Sequence, residues 1–152
     1  MLMTPAWFTY RFDELSAQQL YELLRLRAEV FIVEQQCVYQ DLDNKDQQSL
    51  HLLGYHEETL VAYARILPPG LSYPESSIGR VVTSPLTRKK GFGKALMREA
   101  IRLCLHSYQG TCIRISAQEY LLAFYGELGF ETVGVPYLED GIPHVEMILK
   151  TT

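Results

Sequence analysis

Residues 81–94 read Val81-Val82-Thr83-Ser84-Pro85-Leu86-Thr87-Arg88-Lys89-Lys90-Gly91-Phe92-Gly93-Lys94. The β-branched residues at the start favour a strand, and the proline followed by basic residues and glycines favours a turn. A helical run over residues 91–107 follows, and residues 111–117 then alternate in the manner of a strand. A strand, a helix and a second strand in this order predict two parallel strands joined by a right-handed crossover.

The same turn is suited to binding an anion. The first turn of a helix carries unpaired N–H groups and a partial positive charge. Gly91 and Gly93 lack a Cβ, so phosphate oxygens can approach the backbone. The P-loop pattern is absent, and the dinucleotide-binding pattern fails because Leu96 stands where a small residue is needed. The remaining pattern, R-x-x-G-x-G, predicts a pyrophosphate site whose positive charge comes from Arg88, Lys89, Lys90 and Lys94.

The rest of the chain completes an α/β pattern. Residues 7–12 predict a strand, and a capping box formed by Ser16 and Gln19 precedes a helix over residues 20–31. A polar, acidic segment over 38–49, either a long loop or an irregular helix, is followed by a hairpin with strands over 51–56 and 60–67. A helix over 119–128, closed by Gly129 at its C-terminus, and strands over 131–135 and 145–150 complete the pattern. This order predicts one α/β domain over residues 1–152, with a mixed sheet flanked by helices.

The composition argues against several classes of protein. The 152 residues carry a formal charge of -4 and a pI of about 5.6, which disfavours a nucleic-acid-binding protein. Cys37, Cys104 and Cys112 form no zinc-binding pattern and indicate free thiols in a reducing compartment. The Asp41-x-Asp43 pair lacks the glycine and the terminal glutamate of a calcium loop, so no metal is expected. Since the sequence shows neither a secretory signal nor a stretch apolar enough to span a membrane, a cytoplasmic protein without membrane association is expected.

A second motif lies one helix and one strand downstream of the basic turn. Residues 116–130 read S-A-Q-E-Y-L-L-A-F-Y-G-E-L-G-F and end in F-Y-x-x-L-G-F. The two motifs, in this order, resemble those of the GNAT superfamily of N-acetyltransferases. Residues 27–43, 60–66, 78–81 and 139–144 are similar to the ElaA-like subgroup, so the resemblance covers nearly the whole chain.

The resemblance implies a centrally splayed sheet of about six to seven strands that holds acetyl-CoA or CoA between its two parallel strands. Backbone groups of Val81 and Thr83 would bond the pantetheine arm, and an N–H group nearby would stabilise an oxyanion. The family often has Asn in place of Gln118 and Gly in place of Lys89. The implied cofactor-binding residues are Val81, Val82, Thr83, Arg88, Lys89, Lys90, Gly91, Phe92, Gly93, Lys94, Gln118, Phe124 and Tyr125.

The resemblance also assigns the chemistry. The Tyr125 hydroxyl would face the thioester sulfur, where a phenol of pKa about 10 can protonate a departing thiolate of pKa about 8.5 or hydrogen-bond to it. The attacking amine must lose a proton, which His144 or Glu34 would take directly or through water. The acceptor side is implied to include Arg27, Glu34, Gln35, Tyr39, Asp43, Asp140 and His144.

The predicted function is the transfer of an acetyl group from acetyl-CoA to a small-molecule or peptide amine by direct attack on the thioester. A homodimer is a family-level expectation. Three alternatives stay open: a CoA-binding regulatory domain without turnover, an acyltransferase that uses another acyl donor or acceptor, and a nucleic-acid or protein interaction module, which the net charge disfavours. Tyr125→Phe would leave a regulatory domain unaffected, whereas it would lower the turnover of an enzyme.

Overall fold

The computed structural model describes residues 4–151 and shows a seven-stranded sheet flanked by helices. The strands are β1 (Ala6–Arg11), β2 (Leu50–His56), β3 (Thr59–Leu67), β4 (Ser76–Thr83), β5 (Cys112–Gln118), β6 (Glu131–Glu139) and β7 (Ile142–Lys150). The α-helices are α1 (Ala17–Arg27), α2 (Phe92–Tyr108) and α3 (Leu122–Glu127). The predicted α/β order is confirmed. None of the helices within residues 4–151 is both long and apolar enough to cross a membrane.

The sheet opens between its two parallel strands. The strand order is β1-β2-β3-β4-β5-β7-β6, and each neighbouring pair is antiparallel except β4 and β5. These two strands pair only at Ser76 with Ile113 and at Ser77 with Arg114, and then separate. The parallel pair confirms the crossover predicted from the order of elements, and the central opening confirms the splayed sheet that the resemblance implies.

Two cores cover the two faces of this sheet. Leu52 and Ala62 belong to the core under α2, whereas the next residue in each strand, Leu53 and Tyr63, belongs to the core under α1. Because successive strand residues point to opposite faces, this alternation places a helical layer on each side. It also explains why β2 and β3 read as continuous apolar runs.

Helix α1 begins as predicted but ends differently. The Ser16 hydroxyl accepts a hydrogen bond from the Gln19 N–H at 3.1 Å, and Gln19 Oε1 accepts one from the Ser16 N–H at 2.9 Å. The predicted helix over 20–31 is α-helical only to Arg27 and continues as a π-helical segment, Ala28–Glu34. Such wider turns are frequent at functional sites.

The acidic loop over residues 38–49 is fixed by ion pairs. Arg27 is fully buried on the apolar stripe of α1, where Asp41 and Asp46 approach its guanidinium to 3.0 and 2.8 Å. Arg65, in the buried strand β3, binds Asp43 at 2.8 Å and Asp46 at 3.0 Å. The ion-pair network, in which three positive and three negative charges balance, consists of Arg27, Arg65, Arg80, Asp41, Asp43 and Asp46.

The last hairpin is longer than predicted. Its strands were expected over 131–135 and 145–150, whereas β6 continues to Glu139 and β7 begins at Ile142. Asp140 and Gly141 form the connecting turn with φ values of 52° and 77°. Two successive left-handed residues are typical of a tight two-residue hairpin turn, in which Asp-Gly is a preferred pair.

Candidate active site

A cavity of about 500 Å³ lies where β4 and β5 separate. Its walls come from the π-helical segment, the residues that follow it, the ends of β4 and β5, and the β6–β7 turn. The separation leaves the facing edges of β4 and β5 unpaired with each other along the cavity. An extended molecule can therefore lie between them and bond to backbone groups.

A bulge in β4 faces this cavity. The register of β4 against β3 shifts by one residue at Arg80 and Val81. Arg80 has a φ of 50°, in the left-handed region that favours glycine. Its guanidinium donates to Asp41 Oδ1 at 2.7 Å and to the Asp41 carbonyl at 2.9 Å, and it lies 3.4 Å from Asp43. The ion-pair network thus holds β4 in a strained conformation at the cavity wall.

The start of α2 fits a pyrophosphate. Gly91 is the N-cap with a φ of 78°, and no side chain caps the helix, so its first N–H groups lack side-chain partners. Lys89 has a φ of 67°, which explains why the family often has Gly there. Lys89 and Lys90 are exposed and form no ion pair with any of residues 4–151, whereas Lys94 binds Glu127. Uncapped N–H groups at the start of α2 thus directly follow two lysines that form no ion pair within the described part of the chain.

Arg88, the first basic residue of the motif, is engaged by a carboxylate. Its two terminal nitrogens donate to the two oxygens of Glu34 at 2.6 and 2.5 Å. This pair joins the turn before α2 to the end of the π-helical segment. The guanidinium lowers the pKa of the Glu34 carboxyl, so Glu34 is a weaker proton acceptor than a free carboxylate.

Tyr125 lies in α3, on the cavity wall, and is 7% exposed. Its ring packs edge-on against Phe124 and Phe130, with centroids 5.1 and 6.0 Å apart, which fixes the ring plane. Burial raises the pKa of Tyr125 to about 12, and none of residues 4–151 hydrogen-bonds to its hydroxyl. The phenol therefore keeps its proton at neutral pH, and its O–H can donate a hydrogen bond to a molecule in the cavity.

Two amides connect the end of the π-helical segment to the end of β5. Gln35 Nε2 donates to Gln118 Oε1 at 3.3 Å, and both residues line the wall. Tyr39 lies on the same wall, but its hydroxyl donates to Asp41 at 3.4 Å and its ring lies 5.8 Å from the guanidinium carbon of Arg80. The Tyr39 hydroxyl is thus directed to the ion-pair network.

His144 has one ring nitrogen fixed by the backbone. Its Nδ1 lies 2.7 Å from the Ile142 carbonyl oxygen, and because a carbonyl only accepts, Nδ1 carries hydrogen and the neutral ring has its lone pair on Nε2. Nε2 lies 3.4 Å from a Glu139 oxygen, and the ring stacks on Tyr137. His144 is 6% exposed and lines the cavity. Of the two bases considered from the sequence, it has the geometry better suited to accepting a proton.

The structure brings most of the predicted site residues to one cavity. Those on its wall are Val81, Val82, Thr83, Arg88, Gln118, Tyr125, Glu34, Gln35, Tyr39, Asp140 and His144. The other predicted cofactor-binding residues do not line the wall and lie near the start of α2 or in α3: Lys89, Lys90, Gly91, Phe92, Gly93, Lys94 and Phe124. The Phe92 side chain is buried, so this residue offers a ligand only its backbone.

Arg27 and Asp43, which were predicted on the acceptor side, do not line this cavity. Both belong to the ion-pair network. Burying a charged side chain on an apolar stripe is costly unless an opposite charge pairs with it. Asp46 provides that charge for Arg27 at a distance of 2.8 Å.

The wall also includes residues that were not assigned to the site from the sequence, among them the polar residues Arg80, Tyr120 and Glu139. The Asp-Gly pair at 140–141 signals a hairpin turn, and this signal would have placed Glu139 beside Asp140 at the turn. No local signal marks the bulge at Arg80, which depends on contacts with Asp41.

Comparison with known proteins agrees with this geometry. Residues 12–151 match the family model of the acetyltransferase (GNAT) domain. The protein sll0451 of Synechocystis sp. is 45% identical over 145 residues, which cover 95% of this chain and 94% of the relative. The crystal structure of Escherichia coli ElaA superposes with a TM-score of 0.90 and 40% identity, covering 96% of this chain and 99% of that chain. An acyl-CoA N-acyltransferase from Pseudomonas aeruginosa gives a TM-score of 0.90 and 39% identity, covering 95% and 99%.

The splayed seven-stranded sheet and the cavity in its opening define an acyltransferase of the GNAT class. The chain belongs to the acetyltransferase (GNAT) domain family. Its similarity to ElaA over nearly the whole chain confirms the predicted subgroup.

Proposed function

We propose that the protein transfers the acetyl group of acetyl-CoA to an amine by direct attack of the amine on the thioester. The observation that carries this proposal is the Tyr125 phenol, which is buried, lacks a hydrogen bond to any of residues 4–151, and lines the opening between β4 and β5. Two comparisons support it: membership of the acetyltransferase family, and similarity to a protein described as an acyl-CoA N-acyltransferase.

The donor would lie along the opened edge of β4. Val81 and Thr83 line the cavity there, beside an edge of β4 that β5 does not pair with. The free N–H groups at the start of α2, together with Lys89 and Lys90, would hold the pyrophosphate. Bound acetyl-CoA supplies an activated carbonyl and a thiol leaving group.

Side chains of the cavity would move the protons. A lysine-like ammonium has a pKa of about 10.4, so His144 Nε2 would take the proton that this group loses on becoming a nucleophile. Glu139, 3.4 Å from Nε2, would stabilise the protonated ring. Tyr125 would donate its hydrogen to the sulfur as the C–N bond forms and the C–S bond breaks. The nitrogen loses two protons in all: His144 takes the first before the attack, and the second leaves the nitrogen of the tetrahedral intermediate and replaces the hydrogen that Tyr125 gives to the sulfur. His144 then releases its proton to water, so one proton is set free for each amide and thiol formed.

Tyr125→Phe tests the proposal, because it removes the donor and keeps the ring. We expect the rate of thiol release to fall about 100-fold, the size of a general-acid contribution, with little change in the calorimetric Kd for acetyl-CoA. Tyr108→Phe, at a half-buried tyrosine of α2 outside the cavity wall, is the matched control. An unchanged rate in Tyr125→Phe would remove its role as the acid.

Two further outcomes decide between the enzyme and its alternatives. Binding of acetyl-CoA without thiol release for any amine would favour the regulatory domain. A series of acyl-CoA donors of increasing chain length should show the highest kcat/KM for acetyl. A maximum at a longer chain would assign a different acyl donor.

A further inference from the structure

We propose that the acceptor is an amine that carries a second positive charge, and that Asp140 is the residue that selects it. This inference rests on the proposed function and adds to it the charge of the acceptor. It follows from the balance of charges on the cavity wall, where both arginines are paired with carboxylates and Asp140 is paired with no cation among residues 4–151.

Neither arginine of the wall is available to an anionic acceptor. Arg88 is bound by both oxygens of Glu34, at 2.6 and 2.5 Å, and it belongs to the turn assigned to the donor. Arg80 is bound by Asp41 at 2.7 Å and lies 3.4 Å from Asp43. An acceptor with a carboxylate would have to displace one of these partners before it could be neutralised.

The part of the wall formed by the β6–β7 turn carries two carboxylates, Glu139 and Asp140. Glu139 faces His144 Nε2 at 3.4 Å, so it neutralises the imidazolium that forms when His144 accepts the proton of the attacking amine. Asp140 then remains as the carboxylate of the wall without a counter-charge. The reacting nitrogen must be neutral in order to attack, so the charge that balances Asp140 lies on another group of the acceptor.

The backbone fixes the position of Asp140. Its φ of 52° and the φ of 77° at Gly141 set the tight turn between β6 and β7. The Asp140 carbonyl accepts a hydrogen bond from Cys37 Sγ at 3.3 Å, which ties the turn to the chain just beyond the π-helical segment. These contacts fix the backbone of Asp140 at the cavity wall, and its exposed carboxylate forms no ion pair with residues 4–151 and stays free for a ligand.

Three acceptors of matched length test the proposal: 1,4-diaminobutane, butylamine and 4-aminobutyrate. We expect kcat/KM for thiol release to fall in that order, with the diamine ahead of the monoamine by about five-fold, the attraction of one unit-charge pair at ~4 Å in water. The ratio should shrink as ionic strength rises, because salt screens exposed charges. Equal values for diamine and monoamine, or a preference for the amino acid, would overturn the proposal.

Substitution separates Asp140 from the general charge of the protein. Asp140→Asn keeps the shape of the side chain and should bring the diamine-to-monoamine ratio close to one. Glu58→Gln removes the same charge from the exposed β2–β3 turn, outside the cavity wall, and should keep the ratio. An equal loss for all three acceptors in Asp140→Asn would show a structural role and overturn the proposal.

A binding measurement distinguishes failure of this inference from failure of the proposed function. In calorimetric titrations of the CoA-saturated protein with 1,4-diaminobutane, Asp140→Asn should raise the Kd about five-fold. Thiol release without any preference for the diamine would refute the charge selection and leave the acetyltransferase proposal intact. If the diamine binds in a manner that depends on Asp140 but no acceptor gives thiol release, the proposed function is refuted. The conclusion that Asp140 recognises a cation would then still stand.

Discussion

Asp46 is the carboxylate on which two buried arginines depend. Its Oδ1 accepts hydrogen bonds from Arg27 at 2.8 Å and from Arg65 at 3.0 Å. Asp46→Asn keeps the shape and one acceptor oxygen, but it leaves the ion-pair network with one uncompensated positive charge. Removing one partner of a buried pair costs about 3–5 kcal/mol. Because the amide oxygen still accepts a hydrogen bond, we expect a loss of about 3 kcal/mol in the free energy of unfolding.

Urea unfolding and thermal melting, each followed by circular dichroism, measure this loss. For a chain of this length, ~3 kcal/mol corresponds to a fall in Tm of about 6–12 °C. Asp13→Asn is the matched control, because the Asp13–Arg11 pair is 75% and 67% exposed and such pairs contribute little. A Tm for Asp46→Asn within about 2 °C of the unsubstituted protein would refute the reasoning.

A double-substitution cycle identifies charge balance as the cause. Arg65 is costly to bury, since its Nε is a buried side-chain nitrogen that finds no hydrogen-bond partner among the described residues. Combining Asp46→Asn with Arg65→Met restores equal numbers of positive and negative charges. The combined loss should therefore be smaller than the sum of the two single losses, by at least ~1 kcal/mol. Strict additivity would show that the two side chains act independently.

Two further predictions concern the cavity and the core. Glu34 competes with acetyl-CoA for the Arg88 guanidinium, and Glu34→Gln removes this competitor. Calorimetry should then show acetyl-CoA binding up to about five-fold tighter, which corresponds to the ~1 kcal/mol of an exposed ion pair. Weaker binding would contradict the competition. His51 accepts a hydrogen bond from Tyr63 at 2.7 Å and donates one to the Asp46 carbonyl at 2.8 Å, and its burial lowers its pKa. The folded protein thus binds this proton less readily than the unfolded chain. The free energy of unfolding should therefore stay constant above the unfolded pKa of ~6.5 and fall by up to ~1.4 kcal/mol per pH unit below it. Urea unfolding at several pH values should show a shallower slope for His51→Asn, and an unchanged slope in this variant would contradict the prediction.

The sequence predicted the features that local signals determine. The Ser16–Gln19 capping box and the turn at 88–94 depend on neighbouring residues, and both are found where expected. The role of Arg27 depends on Asp46, which is 19 positions away in the chain and meets it only in the folded protein. The sequence shows an arginine on an apolar stripe, but it does not show which carboxylate neutralises it. The bulge at Arg80 likewise depends on a contact across 39 positions.

Two charged residues with left-handed backbone lie along the proposed donor path, Arg80 in β4 and Lys89 before α2, with φ values of 50° and 67°. This conformation costs about 1–2 kcal/mol in a residue with a Cβ. At Arg80 the protein offsets the cost, because Asp41 accepts two hydrogen bonds at 2.7 and 2.9 Å. At Lys89 no ion pair with residues 4–151 offsets it, and the uncapped, positive end of α2 lies next to it. An anion that binds both the Lys89 ammonium and the N–H groups at the start of α2 would offset the cost of this backbone conformation. The conformation of Lys89 therefore argues for an anionic ligand independently of the sequence motif.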